Sequence, residues 1–305
     1  MAEITAGMVK DLREKTGVGM MDCKAALIAT QGGMDAAVDW LRAKGLAKAA
    51  KKSTRLAAEG LVGLWVSGTT GALVEVNAET DFVARNEKFQ AMVAEISKLA
   101  VTAGGNLEKL KTLKFPGSPH AVAEYVAEMV ATIGENMTVR RSAALSVKDG
   151  VIGSYIHNQA APGMGKIGVL AALEGTDNKD ELAQFGRMLA MHIAATNPVA
   201  MDISGVPAET LAREKAILEE KNAGKPAHVM EKIVASGLKT YAKENCLLEQ
   251  AYVHDGAKTV AQAIAEAGNK AGAAVKLTGF VRMQLGEGIE KGPDDFAGEV
   301  AKLAG

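Results

Sequence analysis

Aromatic side chains are scarce in this chain, with six Phe, four Tyr and two Trp among 305 residues. A surface that stacks on bases needs interleaved aromatics, and one that tracks phosphates needs clustered Lys and Arg. The formal net charge is -1 and no long basic block occurs. Direct nucleic-acid binding is therefore not expected. Only two cysteines are present, Cys23 and Cys246, far apart and without a CxxC pair. That spacing excludes a disulfide framework and a cysteine-based zinc site, and it fits reduced thiols in a cytosolic protein. No segment has the apolar length needed to span a bilayer, and Met1-Ala2-Glu3-Ile4-Thr5 lacks a basic stretch followed by an apolar one. No membrane partner is expected, and the location expected is cytoplasmic.

What is present is ordinary for a globular protein: 48% hydrophobic and 23% charged residues. The length exceeds the usual size of a single core, so more than one compact unit is expected. The first 50 or so residues read as a helical unit. Ile4, Met8, Val9 and Leu12 follow helical spacing, Thr16-Gly17-Val18-Gly19 breaks it, and Met21 to Thr30 forms a second helix. After the turn Gln31-Gly32-Gly33, the residues Ala36, Ala37, Trp40 and Leu41 line a third. The Ala/Lys-rich stretch 44–55 reads as a solvated helical linker.

A weak internal repeat follows. Glu59-Gly60-Leu61-Val62-Gly63-Leu64-Trp65-Val66 resembles Asp149-Gly150-Val151-Ile152-Gly153-Ser154-Tyr155-Ile156. Each copy runs through a polar loop into a second apolar run, 73–76 and 167–173, and then into a helix near Phe89 and near Phe185. Third strands are expected at 142–147 and 275–285. Hairpin-paired strands with helices on one face give an α+β fold of two related β-hairpin/helix subdomains. Two helices between residues 206 and 241 interrupt the second copy, joined at the turn Lys221-Asn222-Ala223-Gly224-Lys225-Pro226. Their apolar face is too narrow for a separate core, so the hairpin must lean on the body, on a partner or on a second copy. A short helix is expected at 294–303, opened by Asp294 and Asp295.

Enzyme signatures fail one by one. Gly163-Met164-Gly165-Lys166-Ile167-Gly168 matches G-x-G-x-x-G, but it precedes a strand, whereas a pyrophosphate cradle opens a helix. Ala160 and Ile167 break the alternative phosphate-loop pattern, which leaves a flexible hairpin loop. His120, His157, His192, His228 and His254 show no metal-ligand spacing. His192 sits in an apolar helix and reads as a satisfied core residue, whereas His157 at a hairpin tip suits surface contact. Neither metal nor cofactor is expected. Met20-Met21 reads as core filler or as a soft contact surface.

The turn Thr80-Asp81-Phe82-Val83-Ala84-Arg85-Asn86 follows the apolar run 71–76. On one reading Thr80 or Asp81 caps the next helix, and Phe82 folds back with Phe89 onto the sheet. On the other, Asp81 and Phe82 project into another molecule. Spacing leaves both open, although the second copy carries Thr176-Asp177-Asn178 at the matching turn, so the repeat does not require the aromatic.

Two long signatures, residues 12–27 from Leu12-Arg13-Glu14-Lys15-Thr16-Gly17 through Met20-Met21-Asp22-Cys23-Lys24 to Leu27, and residues 75–85 containing Asn77-Ala78-Glu79-Thr80-Asp81-Phe82-Val83, stand in order. With Ile133-Gly134-Glu135-Asn136, Gly153-Ser154-Tyr155-Ile156-His157 and Gly286-Glu287-Gly288-Ile289-Glu290-Lys291, they make nearly the whole chain resemble translation elongation factor Ts. The resemblance implies an exchange factor that releases GDP from elongation factor Tu, not an enzyme. It implies a ubiquitin-associated-like three-helix domain at 1–55 and a first core subdomain at 56–148. A second core subdomain comes from 149–205 and 242–285, with an inserted coiled-coil hairpin at 206–241 and a C-terminal helical module at 286–305. It also implies that Thr80, Asp81, Phe82 and Val83 dislocate the partner's Mg²⁺, and that Lys10, Arg13, Met20, Met21, Lys24, Asn77 and His157 make further contacts. The hairpin and the 157–165 loop resemble the family least.

Overall fold

The computed structural model describes residues 4–16, 18–175 and 178–290. The helix expected at 294–303, Lys291, Gly17, Thr176, Asp177 and the first three residues lie outside these. The fold is α+β. Three helices come first, α1 (Ala6–Thr16), α2 (Met20–Ala29) and α3 (Met34–Lys52), packed around Leu12, Cys23, Ala26, Leu27 and Leu41. The stretch read as a solvated linker is the second half of α3. It runs unbroken to Lys52 and packs on α6 (Val122–Ile133), with Gly45 buried and Ala49 against the core. The reason is composition: Ala and Gly on one face let two helices approach closely.

Two antiparallel sheets follow. The first has the order β3 (Met137–Ser146), β2 (Thr70–Ala78), β1 (Glu59–Ser67), β5 (Met164–Gly165), and the second β4 (Gly150–His157), β6 (Ile167–Glu174), β9 (Lys276–Gln284). Their inner faces meet through Val62, Leu73, Ile152, Leu170, Ala172 and Met283. On its outer face the first sheet is covered by α4 (Glu87–Thr102), α5 (Leu107–Thr112) and α6, with Phe89, Met92, Val93 and Ile96 in the core. The second is covered by α7 (Lys179–Thr196) and α10 (Val260–Ala271) through Leu182, Leu189 and Ile193. The result is a helix–sheet–sheet–helix stack, the arrangement that lets both sheets bury both faces. Gly153 and Gly186 touch backbone to backbone where α7 crosses β4, and a Cβ on Gly153 would lie 2.4 Å from the Gly186 carbonyl carbon.

The Gly163–Gly168 stretch is not a flexible loop. It crosses to the first sheet, where Val62 pairs with Gly165 and Gly63 with Met164, and the Leu64 N–H donates to the Gly163 carbonyl at 2.8 Å. Met164 is buried in the first core. No helix starts there, so no phosphate cradle exists. The hairpin helices α8 (Ala208–Lys221) and α9 (Ala227–Asn245) bury only Ala242 at their base, and α9 continues past 241. A short ribbon, β7 (Ala251–Tyr252) with β8 (Asp255–Thr259), leads into α10. His192 is a satisfied core residue: its Nδ1 accepts from the Val253 N–H at 3.2 Å, leaving Nε2 to donate to Gln250 Oε1 at 3.0 Å.

A buried carboxylate joins the sheets. Glu75, on the inner face of β2, has no exposed surface. Its oxygens accept from Arg140 Nη1 at 3.1 Å, Asn77 Nδ2 at 3.0 Å and the Gly286 N–H at 2.9 Å, and also from Arg141 Nε. Consecutive strand residues ordinarily face opposite ways. Here the β2–β3 register shifts between Glu75 and Val76, and the bulge lets both arginines reach one carboxylate. The second sheet carries a register shift too, between Ala172 and Leu173 opposite β9.

Burial by itself would raise the Glu75 pKa, but the Gly286 N–H, Arg141 and Asn77 outweigh it and hold the carboxyl below its ordinary value of 4.5. Its contribution is therefore complete above that value and is lost as pH falls through the folded pKa. Urea denaturation followed from neutral pH down to about pH 3 is expected to show the midpoint fall less in Glu75→Gln than in the unmutated chain. Glu75→Ala, which strands two arginines, is expected to cost about 3–5 kcal/mol at neutral pH.

Candidate functional site

The site begins where β2 ends. Ala78 is the last buried residue of the strand, paired with Met137. Beyond it the chain enters a tight turn, makes a single 3-10 turn over Val83–Arg85 and starts α4. Neither Thr80 nor Asp81 caps that helix. Asn86 does, its Oδ1 accepting from the Lys88 and Phe89 N–H groups at 3.0 and 3.2 Å. Phe82 does not fold back either: Phe89 is fully buried, whereas Phe82 is 75% exposed.

Each flank of the turn is fixed. Upstream, Thr80 donates from its N–H to Glu135 Oε2 at 2.9 Å and from Oγ1 to Glu135 Oε1 at 2.7 Å. Glu79 Oε1 accepts from the Asn136 N–H, and its other oxygen lies 3.6 Å from Arg55. Downstream, Val83 is buried in the first core and Gln90 Nε2 donates to the Ala84 carbonyl at 2.8 Å. Between these anchors, among the described residues, the exposed Asp81 carboxylate forms no hydrogen bond or ion pair. The turn therefore holds out a carboxylate and an aromatic ring on a backbone that is fixed on both sides.

The opposing turn, Gly134-Glu135-Asn136, is set by the end of α6. Gly134 takes φ +96, the left-handed conformation that stops a helix without strain only at glycine, and its N–H donates to the Val130 carbonyl. Lys52 Nζ donates to the Gly134 carbonyl, and Asn136 Nδ2 donates to the Arg55 carbonyl at 2.7 Å. The motif Ile133-Gly134-Glu135-Asn136 carries no sequence signal for this role, because it braces residues 79 and 80 only once β2 and β3 are paired.

Of the residues expected to make contacts, Asp81 and Phe82 are exposed and Thr80 is half-buried. Val83 and Asn77 are corrected. Val83 is an internal anchor, and Asn77 is fully buried, donating to Glu75 Oε1 and, at 3.3 Å, to the Glu59 carbonyl. Neither is available to a partner. Their strand and turn positions point them at the core, which the motif alone does not reveal. Lys10, Arg13, Met20, Met21 and Lys24 are exposed on α1 and α2. Met20 and Met21 are 57% and 78% exposed, so the core-filler reading of the pair is wrong, and Ile28, 58% exposed, extends their helix face. His157 is exposed at the end of β4, its Nδ1 3.1 Å from the Tyr155 hydroxyl. Among the described residues no group of His, Cys, Asp or Glu could hold a metal ion, and no helix is long and apolar enough to cross a membrane.

Comparison with known proteins returns a consistent result. A family model described as Elongation factor TS matches residues 79–287. A protein of Methylobacterium radiotolerans named Elongation factor Ts is 62% identical over 307 residues, covering 100% of this chain and 99% of that protein. Proteins of the same name from Xanthobacter autotrophicus and Azorhizobium caulinodans are 60% and 58% identical, each covering 100% of this chain and 99% of their own length.

The geometry separates tip from anchors in stability. Phe82→Ala is expected to shift the unfolding free energy by no more than about 0.5 kcal/mol, as an exposed substitution does. Val83→Ala and Asn86→Ala are expected to cost roughly 2 and roughly 1 kcal/mol through a lost core contact and a lost cap. Equilibrium denaturation of the three variants checks the ranking.

Proposed function

The chain belongs to the elongation factor Ts family, which makes it a translation elongation factor, and from that premise we propose that it is the guanine-nucleotide exchange factor of elongation factor Tu. The observation that supports this most directly is the exposed Asp81–Phe82 tip on an anchored turn. GDP in a nucleotide-binding partner is held by phosphate-loop amides and by Mg²⁺, so disturbing either loosens it steeply. In the proposed action Phe82 enters beside the Mg²⁺ and phosphate site and wedges between partner side chains, and Asp81 brings a negative charge next to groups that hold phosphate. The half-buried Thr80 belongs to this edge as its brace. GDP leaves and GTP can then bind. No bond is made or broken in this chain, so it is not an enzyme in that sense.

The remaining contacts divide by exposure. Lys10, Arg13, Met20, Met21 and Lys24 present a mixed cationic and apolar face on the first helices, and we assign them to gripping the partner's G domain. His157, at the end of β4, is assigned to the partner's third domain. The division into a ubiquitin-associated-like domain, two core subdomains, an inserted hairpin and a C-terminal module belongs to the same proposal. So does action in the cytoplasm without direct contact to nucleic acid or membrane. Among the described residues the hairpin helices bury only Ala242, at their base, and self-association through the hairpin belongs to the same proposal.

Exchange and passive binding are distinguished by rate. Release of fluorescent GDP from elongation factor Tu is expected to accelerate on adding this protein. Phe82→Ala is expected to slow that release at least about tenfold, since burying one Phe is worth roughly 1.5–3 kcal/mol, and Asp81→Ala to slow it as well. A protein that binds the partner without accelerating release is a scaffold. Variants that exchange at the unmutated rate exclude the wedge.

A further inference from the structure

We infer that Glu135 is a positioning residue for the Asp81–Phe82 edge, acting through Thr80. The inference rests on the exchange reading above and deepens it. Glu135 is half-buried and lies outside the apolar core. Both of its carboxylate oxygens are given to one residue, Oε2 to the Thr80 N–H at 2.9 Å and Oε1 to Thr80 Oγ1 at 2.7 Å, and among the described residues it forms no ion pair. A carboxylate gripping both the N–H and the hydroxyl of one residue fixes a peptide plane and a side-chain rotamer together. That residue immediately precedes Asp81.

The grip matters because the tip holds nothing itself. Phe82 is exposed and Asp81 has no partner among the described residues, so their direction is set entirely by the flanking backbone. The downstream flank is fixed by Val83 in the core and by the Asn86 cap. The upstream flank is held by Glu135 and by the Glu79–Asn136 hydrogen bond. Glu135 is in turn placed by a glycine-terminated helix and by the Lys52 and Arg55 contacts on its neighbours. Freed from Glu135, Thr80 and Asp81 regain backbone freedom that must be lost again when the tip enters a partner site. The cost falls on the step in which the nucleotide site is distorted. It falls much less on overall association, which other surfaces support.

The test uses the full chain and GDP-loaded elongation factor Tu, reading the maximal rate of stimulated GDP release, the half-saturating concentration and the melting temperature. Glu135→Ala is expected to lower the maximal rate roughly tenfold, the scale of refixing one backbone residue. The half-saturating concentration should change less than about twofold, since the other contacts remain. Thr80→Val is expected to reproduce part of that loss, and Thr80→Ser, which keeps the hydroxyl, to restore the unmutated rate. In a Phe82→Ala background, Glu135→Ala is expected to cost clearly less than in the unmutated chain, because one of the two groups it positions is gone. An unmutated rate for Glu135→Ala, or a loss just as large without Phe82, overturns the inference, as does a loss that follows a fallen melting temperature. If Phe82→Ala itself exchanges at the full rate, the exchange-edge reading fails and this inference with it. If Phe82→Ala is slow and Glu135→Ala is not, only this inference fails.

Discussion

Glu75 is a carboxylate with no contact with water, set between two sheets whose facing surfaces are otherwise largely apolar. Withdrawing such a charge from solvent costs several kcal/mol unless each lone pair is met. The partners that meet it come from β2 itself, from the bulged strand β3 and from Gly286, 211 positions away in sequence. The network therefore forms only when both sheets are stacked in the correct register. A slip of β3 by one residue would turn an arginine away and leave the charge unpaired. Arg141 Nη2 continues outward to the Gln284 carbonyl and to Glu287 at 3.1 Å, so the turn after β9 is held by the same charges. This constraint ties the two sheets and the turn after β9 to one another.

The stack is tied to the tip through short links. Asn77 donates to Glu75, Ala78 pairs with Met137, and one residue further Glu79 meets the Asn136 N–H. The ordered register of β2 against β3 thus brings the 79–80 segment beside the 134–136 turn. A projecting ring on a floppy loop would lose much of its binding energy to ordering, whereas a ring on a braced turn arrives in place. The exposed Phe82 is stable where it is because its neighbours, not its own contacts, determine the backbone.

Much of the architecture is legible in the residues. Helical spacing gives the three opening helices. Alternating and continuous apolar runs give the strands, and the turn residues around Gly224 give the hairpin. The rest depends on pairing between distant segments. The β5 bridge to Val62 joins residues about a hundred apart, and a two-residue strand carries no periodic signal. The burial of Glu75 and Asn77 follows only once the second sheet is placed over them. Arg140 and Arg141 converge only because of a bulge, which periodicity cannot locate. At the site itself, Thr80, Asp81 and Asn86 all satisfy the composition of a helix cap. The choice of Asn86 follows from the 3-10 turn that intervenes, and that turn is fixed by Val83 in the core.

Energetics limit how the tip can act. Shifting a two-state equilibrium by about four orders of magnitude needs roughly 5.5 kcal/mol of differential affinity. Burying Phe82 supplies roughly 1.5–3 kcal/mol of that at most. Contacts that hold loaded and empty partner equally well add affinity and shift nothing. In the proposed exchange, the remaining differential must come from surfaces that fit the partner's G domain only in its displaced arrangement. The exposed Met20, Met21 and Ile28 on α2 are suited to this, since flexible apolar side chains gain on burial without demanding one fixed geometry. They sit on a bundle whose third helix is packed on α6, the same helix whose end presents Gly134 and Glu135. On the proposed reading, grip and wedge are therefore carried by one framework, so that binding at the first helices and displacement at the tip act together. Under the proposed exchange, linkage then requires the reverse: guanine nucleotide returning to the partner weakens its hold on this chain by the same factor.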